Sequence, residues 1–227
     1  MPAGLKIIND AGTILIDDAF PVPVLRDKGD AIFPASGYIY LGSRTGQVAL
    51  RCTSVASYSF FNQTDPFSAG LYLFGMPGTM VTWYLFDEPA EPASNFGLVI
   101  RNAAGKLMYD AGAKPMRVVN LRSSGVRAGW QGAVNLDGAR TYAVLPMVAA
   151  FDSVMTFTRQ GSGSPDEFFQ REDISLAGGA VNGGSITFGM TQSSRRQYGP
   201  YYGISLPRNY TVSSNNAALA VIDMTAY

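Results

Sequence analysis

The chain contains no histidine and a single cysteine. Without histidine it has no Ser–His or Cys–His nucleophile system, no imidazole acid or base, and none of the usual zinc or iron ligand sets. The lone Cys52 cannot close an internal disulfide and offers no CxxC spacing for a metal. Within the strand-like run VALRCTSVASY it reads as a buried, inert thiol. Charge is also scarce: 15% of the residues are Asp, Glu, Lys or Arg, against about 25% in ordinary soluble domains. Basic and acidic residues balance at 17 each, so no field of one sign favours nucleic acid or an anionic membrane.

Long helical periods and phosphate loops are missing too. The stretch Gly161-Ser162-Gly163-Ser164 lacks the lysine of a Walker loop and reads as a flexible linker. The start, MPAGLKIIND, shows no basic segment followed by an apolar one, so no secretory signal is read. The sequons at Asn62 and Asn209 are accordingly expected to carry no glycan. From Pro66 to Phe86 there are 21 residues without a formal charge, long enough to span a bilayer. Gly75-Met76-Pro77-Gly78 breaks that run where a type II turn wants Pro and Gly, and its flanks are β-branched and aromatic. A β-hairpin is therefore expected there, and no membrane insertion.

What the sequence does contain is strand after strand. Apolar runs at 5–8, 13–17, 38–41, 47–53, 55–61, 71–75, 79–86, 97–102, 106–110, 116–121, 130–135, 141–149, 153–159, 184–191 and 218–224 are separated by turn signals. Among those signals are Asp27-Lys28-Gly29-Asp30, Ser43-Arg44-Thr45-Gly46, Leu136-Asp137-Gly138 and Gly178-Gly179. The expected fold is all-β, an antiparallel β-sandwich with little or no helix. The one helix start is Ser164-Pro165-Asp166-Glu167, with Ser as N-cap and Pro at the first position, good for a single turn through DEFFQRED. Trp83 and Trp130 fall in strand-like runs and read as core.

A stretch near the start, GLKIINDAGTILIDD (4–18), returns as GLVIRNAAGKLMYDA (97–111), with seven of fifteen positions identical. Each copy is a strand, a four-residue link opening on Asn and closing on Gly, and a second strand. Asn9 and Asn102 can accept a backbone N–H through the side chain; Gly12 and Gly105 tolerate positive φ. Together they predict a type I turn closed by a glycine bulge. The middle of the link varies, Asp-Ala against Ala-Ala, where a calcium loop would need its oxygens kept. The repeat is therefore read as architecture, with Asp17 and Asp110 capping strand ends. Because the proline-rich connector 87–95 precedes the second copy, two modules, 1–88 and 89–227, are expected. The alternative is a single sandwich over 1–227.

Catalytic candidates are few. Asp17, Asp18, Asp110, Asp152, Asp166, Glu167, Glu172 and Asp173 could supply an acid–base carboxylate pair for glycoside hydrolysis. Most stand beside turns, where solvated charge is expected. No cofactor and no metal site is expected. More suggestive is SRRQYGPYYGISLPRNY (194–210), which interleaves Arg195, Arg196 and Arg208 with Tyr198, Tyr201, Tyr202 and Tyr210. Tyr and Arg combine contact area with hydrogen bonding and are enriched at binding hot spots. The competing reading is a loop whose tyrosines cover the end of a sandwich.

The two hairpin copies resemble segments of small virion structural proteins of long-tailed bacteriophages, encoded among tail-tip or baseplate genes. The resemblance covers about thirty residues, on the pattern G-L-x-I-x-N-x-x-G-x-L-x-x-D. It implies a non-enzymatic part of a virion, assembled in the host cytoplasm as a homo-oligomer against other tail or baseplate proteins. A host-surface glycan or pilus is the alternative partner, taken through the Tyr/Arg segment.

Overall fold

The computed structural model describes residues 7–8, 14–16, 21–61, 69–90, 97–125, 132–148, 151–159, 167–191, 194–202, 210–213 and 216–227. In chain order the strands are β1 (Ile7–Ile8), β2 (Ile14–Ile16), β3 (Val24–Ile32), β4 (Tyr38–Tyr40), β5 (Gln47–Cys52) and β6 (Ser57–Phe61). There follow β7 (Gly70–Phe74), β8 (Met80–Asp87), β9 (Val99–Arg101), β10 (Leu107–Asp110), β11 (Val118–Gly125), β12 (Gly132–Asn135) and β13 (Tyr142–Val148). The last six are β14 (Phe151–Arg159), β15 (Glu167–Asn182), β16 (Ser185–Met190), β17 (Ser194–Tyr202), β18 (Tyr210–Ser213) and β19 (Asn216–Asp223). The fold is all-β and antiparallel, with no helix among the described residues.

A six-stranded sheet in the order β11-β19-β13-β5-β8-β3 forms one layer. Three of its strands precede residue 88 and three follow it, joined where Val144 of β13 faces Leu50 of β5. Strand alternation sends Val48, Leu50 and Cys52 of β5 and Val81, Trp83 and Leu85 of β8 to one face. There they meet Leu71, Leu73 and Phe33 in a buried cluster. On the same face Val144, Leu219 and Val221 pack against Val181, Ile186 and Phe188 of β15 and β16. Each such side chain contributes roughly 1.5–3 kcal/mol when fully withdrawn from water.

The facing layer is assembled from the three-stranded sheet β4-β7-β6 and from the inner half of β15 with β16 and β12. Ala56 and Gly179 stitch the two parts by exchanging backbone hydrogen bonds of 3.0 and 3.1 Å, and Ser57 Oγ donates to Ala177 O at 2.6 Å. The crossing is too close for side chains. A Cβ on Gly178 would lie 2.0 Å from Ala56 O, and one on Gly179 would lie 2.7 Å from Val144. Gly178-Gly179, expected as a turn, is thus the middle of a strand.

The other face of the six-stranded sheet buries Ala49, Tyr84, Phe86, Ala143, Leu145, Ala220 and Ile222. A strap over 114–117 runs across its end. Leu25 N donates to Lys114 O and Met116 N to Pro23 O on the β3 side, while Asp223 N donates to Arg117 O on the β19 side. Met116 and Tyr227 pack over the cluster, and Tyr227 Oη donates to Pro115 O.

Several expectations need correcting. Asp27-Lys28-Gly29-Asp30 is not a turn but part of β3. Gly29 is there because a Cβ would meet the Trp83 ring at 2.8 Å. The helical turn expected from 164 fails over 167–173, which is strand; 164–166 lie outside the described residues. The turn at Met76–Thr79 forms, with Thr79 N donating to Met76 O and Gly78 at φ +79°. Yet it closes no hairpin: β7 joins β4 and β6, while β8 joins β3 and β5.

The second copy of the repeat is a hairpin as expected. β9 and β10 pair antiparallel with a register shift between Leu107 and Tyr109. Asn102 Oδ1 accepts from the backbone N–H of Ala104 and of Lys106 at 3.0 Å each, and Gly105 sits at φ +78°. The first copy pairs Ile7 with Ile16 and Ile8 with Ile14; its link, with Asn9 and Gly12, lies outside the described residues. Asp110 is not a solvated cap. It is 1% exposed and accepts from Gly112 N at 2.8 Å.

Candidate functional site

The Tyr/Arg segment lies on a strand and not in a loop. Over Ser194–Tyr202, β17 pairs with the outer half of β15, continuing the edge that β16 occupies along the inner half. The register sets Arg195 opposite Asp173, Arg196 opposite Glu172, Tyr198 opposite Gln170, Tyr201 opposite Phe168 and Tyr202 opposite Glu167. Residues of opposite charge are therefore paired in register at two successive positions of the ladder. Tyr210 is elsewhere, at the start of β18, opposite Met155 of β14. The fold thus separates it from the other five by β14 and β15. Arg208 lies outside the described residues.

Among the candidate carboxylates the structure describes, the register sets each in surroundings of its own. Asp173 is held by Arg171 within its own strand, Nε to Oδ2 at 2.9 Å. Asp152 sits opposite Ser213 on β14, Glu172 opposite Met155, and Asp17, Asp18 and Asp166 lie outside the described residues. Among the described residues no group of three or more Cys, Asp or Glu is placed to hold a metal ion. Cys52 is buried beside Ser54, Sγ to Oγ 3.4 Å, and Trp83 is core; Trp130 lies outside the described residues.

An ion pair between the buried Asp223 and the half-exposed Arg140 anchors the end of β19. Arg140 Nη1 donates to Asp223 Oδ2 at 2.8 Å, and Thr225 N donates to Oδ1 at 3.0 Å. Burial pushes the Asp223 carboxyl up, but the bonds from Thr225 and Arg140 and the nearby charge of Arg117 outweigh it. The group titrates below the usual carboxylate range.

What the sequence reading missed is the difference between the two edges of the six-stranded sheet. On β3, Arg26, Asp27, Lys28 and Asp30 are all exposed. Arg44 ion-pairs Asp27 and lies 4.7 Å over the Trp83 ring, and Thr82 Oγ1 donates to Asp30 at 2.6 Å. The start of the strand is further covered by the strap. On β11, Val118, Val119 and Leu121 are 51%, 42% and 60% exposed, and Arg122 is the one charge in the strand. The apolar surface continues across the sheet. It meets the buried core at once on one row, where Leu121 is opposite the fully buried Ala220, and runs on only at the strand's far end, where Ser123 is opposite Ala218, itself opposite the half-exposed Val148. Among the described residues β11 pairs with β19 alone. The signal in the sequence was the uncharged run VVNL between Arg117 and Arg122, visible only once the strand is known to be an edge.

The fold defines an antiparallel β protein whose six-stranded sheet, among the described residues, ends on the apolar margin of β11. No protein-family model, no curated protein and no solved structure matches the chain.

Proposed function

We propose that the chain is a non-enzymatic structural subunit of a phage tail tip or baseplate, joining the tail hub to fibres or receptor-binding proteins. One observation carries the reading: among the described residues β11 pairs on one side only, and exposed Val118, Val119 and Leu121 flank its other side. Natural sheets blunt free edges with charge, proline or cover, as β3 is blunted here. An edge left apolar and open suits strand addition from a neighbouring subunit, with main-chain hydrogen bonds for affinity and side chains for register. Copies of this chain in a symmetric particle are the first partners, with other tail proteins beside them. The low overall charge fits a protein that buries much of its surface in such contacts.

The test is self-association of the purified chain by sedimentation velocity, with and without Leu121→Lys. Association that weakens by at least tenfold in the variant supports the reading. A chain that stays monomeric throughout, or one whose association ignores the lysine, contradicts it.

A second reading rests on the Tyr/Arg strand. Because β17 pairs with β15 alone among the described residues, Arg195, Arg196, Tyr198, Tyr201 and Tyr202 share one margin that could meet a host-surface glycan or pilus. Alanine at Arg195, Tyr198, Tyr201 and Tyr202 would then abolish binding of purified protein to host cells. If the wild-type protein does not bind cells, this second reading fails and the first stands untouched.

A further inference from the structure

The second hairpin carries something its own folding does not require. Asn102 and Gly105 make the turn and recur in the first copy as Asn9 and Gly12. Arg101 and Lys106, however, stand where the first copy has Ile8 and Thr13. These two cations, together with Arg26 of β3, line a cleft of about 520 Å³ between the hairpin and the end of β8. Asp87 and Glu88 form part of its wall.

The carboxylates of the cleft are already engaged by the chain. Glu88 is ion-paired to Lys106, Oε2 to Nζ at 2.6 Å. Asp87 accepts from the backbone N–H of Glu88 at 2.8 Å and from Thr45 Oγ1 at 3.4 Å. The guanidiniums are not so matched. Arg101 gives one N–H, from Nη1, to Gly105 O at 2.9 Å, and among the described residues neither it nor Arg26 has an ion pair. Among the described lining residues three cations thus face two carboxylates, and the surplus sits on two planar forks whose donor geometry matches a carboxylate or phosphate. The volume falls within the range of small-molecule sites, roughly 300–1,000 Å³.

We infer that this cleft binds a small oxyanion, a carboxylate or phosphate monoester on a molecule about the size of a sugar, held by Arg26 and Arg101. Lys106 and Glu88 act as a fixed wall: their mutual pairing leaves the two guanidiniums to meet the ligand. The inference is independent of the β11 edge and survives if that edge proves unoccupied.

The experiment is a backbone amide NMR titration of the full chain at low salt with three probes: glucuronate, glucose 1-phosphate and neutral glucose. Saturable shifts at Glu88, Ala90, Gly105 and Lys106 with either anion, and none with glucose, are expected; the anion that binds tells carboxylate from phosphate. Arg26→Ala, which breaks no side-chain hydrogen bond or ion pair among the described residues, should weaken binding several-fold. Adding Arg101→Ala should weaken it at least tenfold overall, while Arg122→Ala on the far edge should change nothing. The inference is overturned by the absence of saturable shifts with both anions, by equal shifts with glucose, or by unchanged affinity in Arg26→Ala.

Discussion

Strand β3 closes the six-stranded sheet on one side with Arg26, Asp27, Lys28 and Asp30 exposed, whereas β11 closes it on the other with Val118, Val119 and Leu121 in water. Both strands carry a register shift, between Leu25 and Asp27 and between Val118 and Asn120, so a bulge is not what separates them. Side-chain chemistry is. Charges along β3 must be desolvated before another strand can dock, and Asp27 is already tied to Arg44. Docking on β11 instead removes apolar surface from water, which gains roughly 1 kcal/mol for each of three half-exposed side chains. Within one sheet, then, one margin is charged along most of its length, with Ile32 exposed at its end, while among the described residues the other margin is apolar and unpaired.

The largest effect comes from moving the guard. Val119→Lys with Leu121→Lys should raise the dissociation constant of self-association more than a hundredfold by sedimentation velocity. Monomer stability should change by no more than about 0.5 kcal/mol, since both sites are on the surface. Next in size is the packing that holds β3 against β8. Gly29→Ala drives a methyl into the Trp83 ring and should destabilise the fold by about 1–3 kcal/mol in urea denaturation. Stripping the guarded edge with Lys28→Val and Asp30→Val should add a second association mode, insensitive to lysine at 121, at roughly tenfold tighter self-association than the parent β3 edge allows.

The smallest effect concerns β19, on which β11 rests. Because Asp223 titrates below its unfolded value, its contribution is present at neutral pH and is lost as pH falls below about 4, through its folded pKa. Asp223→Asn should flatten that part of the acid limb of the stability curve. An acid limb unchanged by the substitution would remove Asp223 as the anchor.

The sequence made the strand-rich class plain, and the reasons it failed elsewhere are physical. Near-continuous apolar runs identified β5, β8, β13 and β19, because each is buried on both faces of the sheet. The turn at Asn102–Gly105 was readable because side-chain acceptor and positive φ are local properties. Asp27-Lys28-Gly29-Asp30 misled because a charged edge strand and a turn use the same residues. Gly178-Gly179 misled because the demand for glycine there is a tertiary one, set by Ala56 and Val144, both distant in sequence, with no local trace. For the same reason Pro77-Gly78 announced its turn but not that the two flanking strands enter different sheets. The open edge was invisible: Val118, Val119 and Leu121 look like core until the strand order puts them at the margin.

Hydrogen exchange of the backbone amides, followed as the purified chain is concentrated from monomer into assembly, tests the two-edge account most directly. The account predicts that amides within 118–123 gain protection as assembly proceeds, while those of Lys28–Ala31 on β3 keep their monomer rates. Protection that appears on β3, or assembly that leaves β11 exchanging as in the monomer, would contradict it.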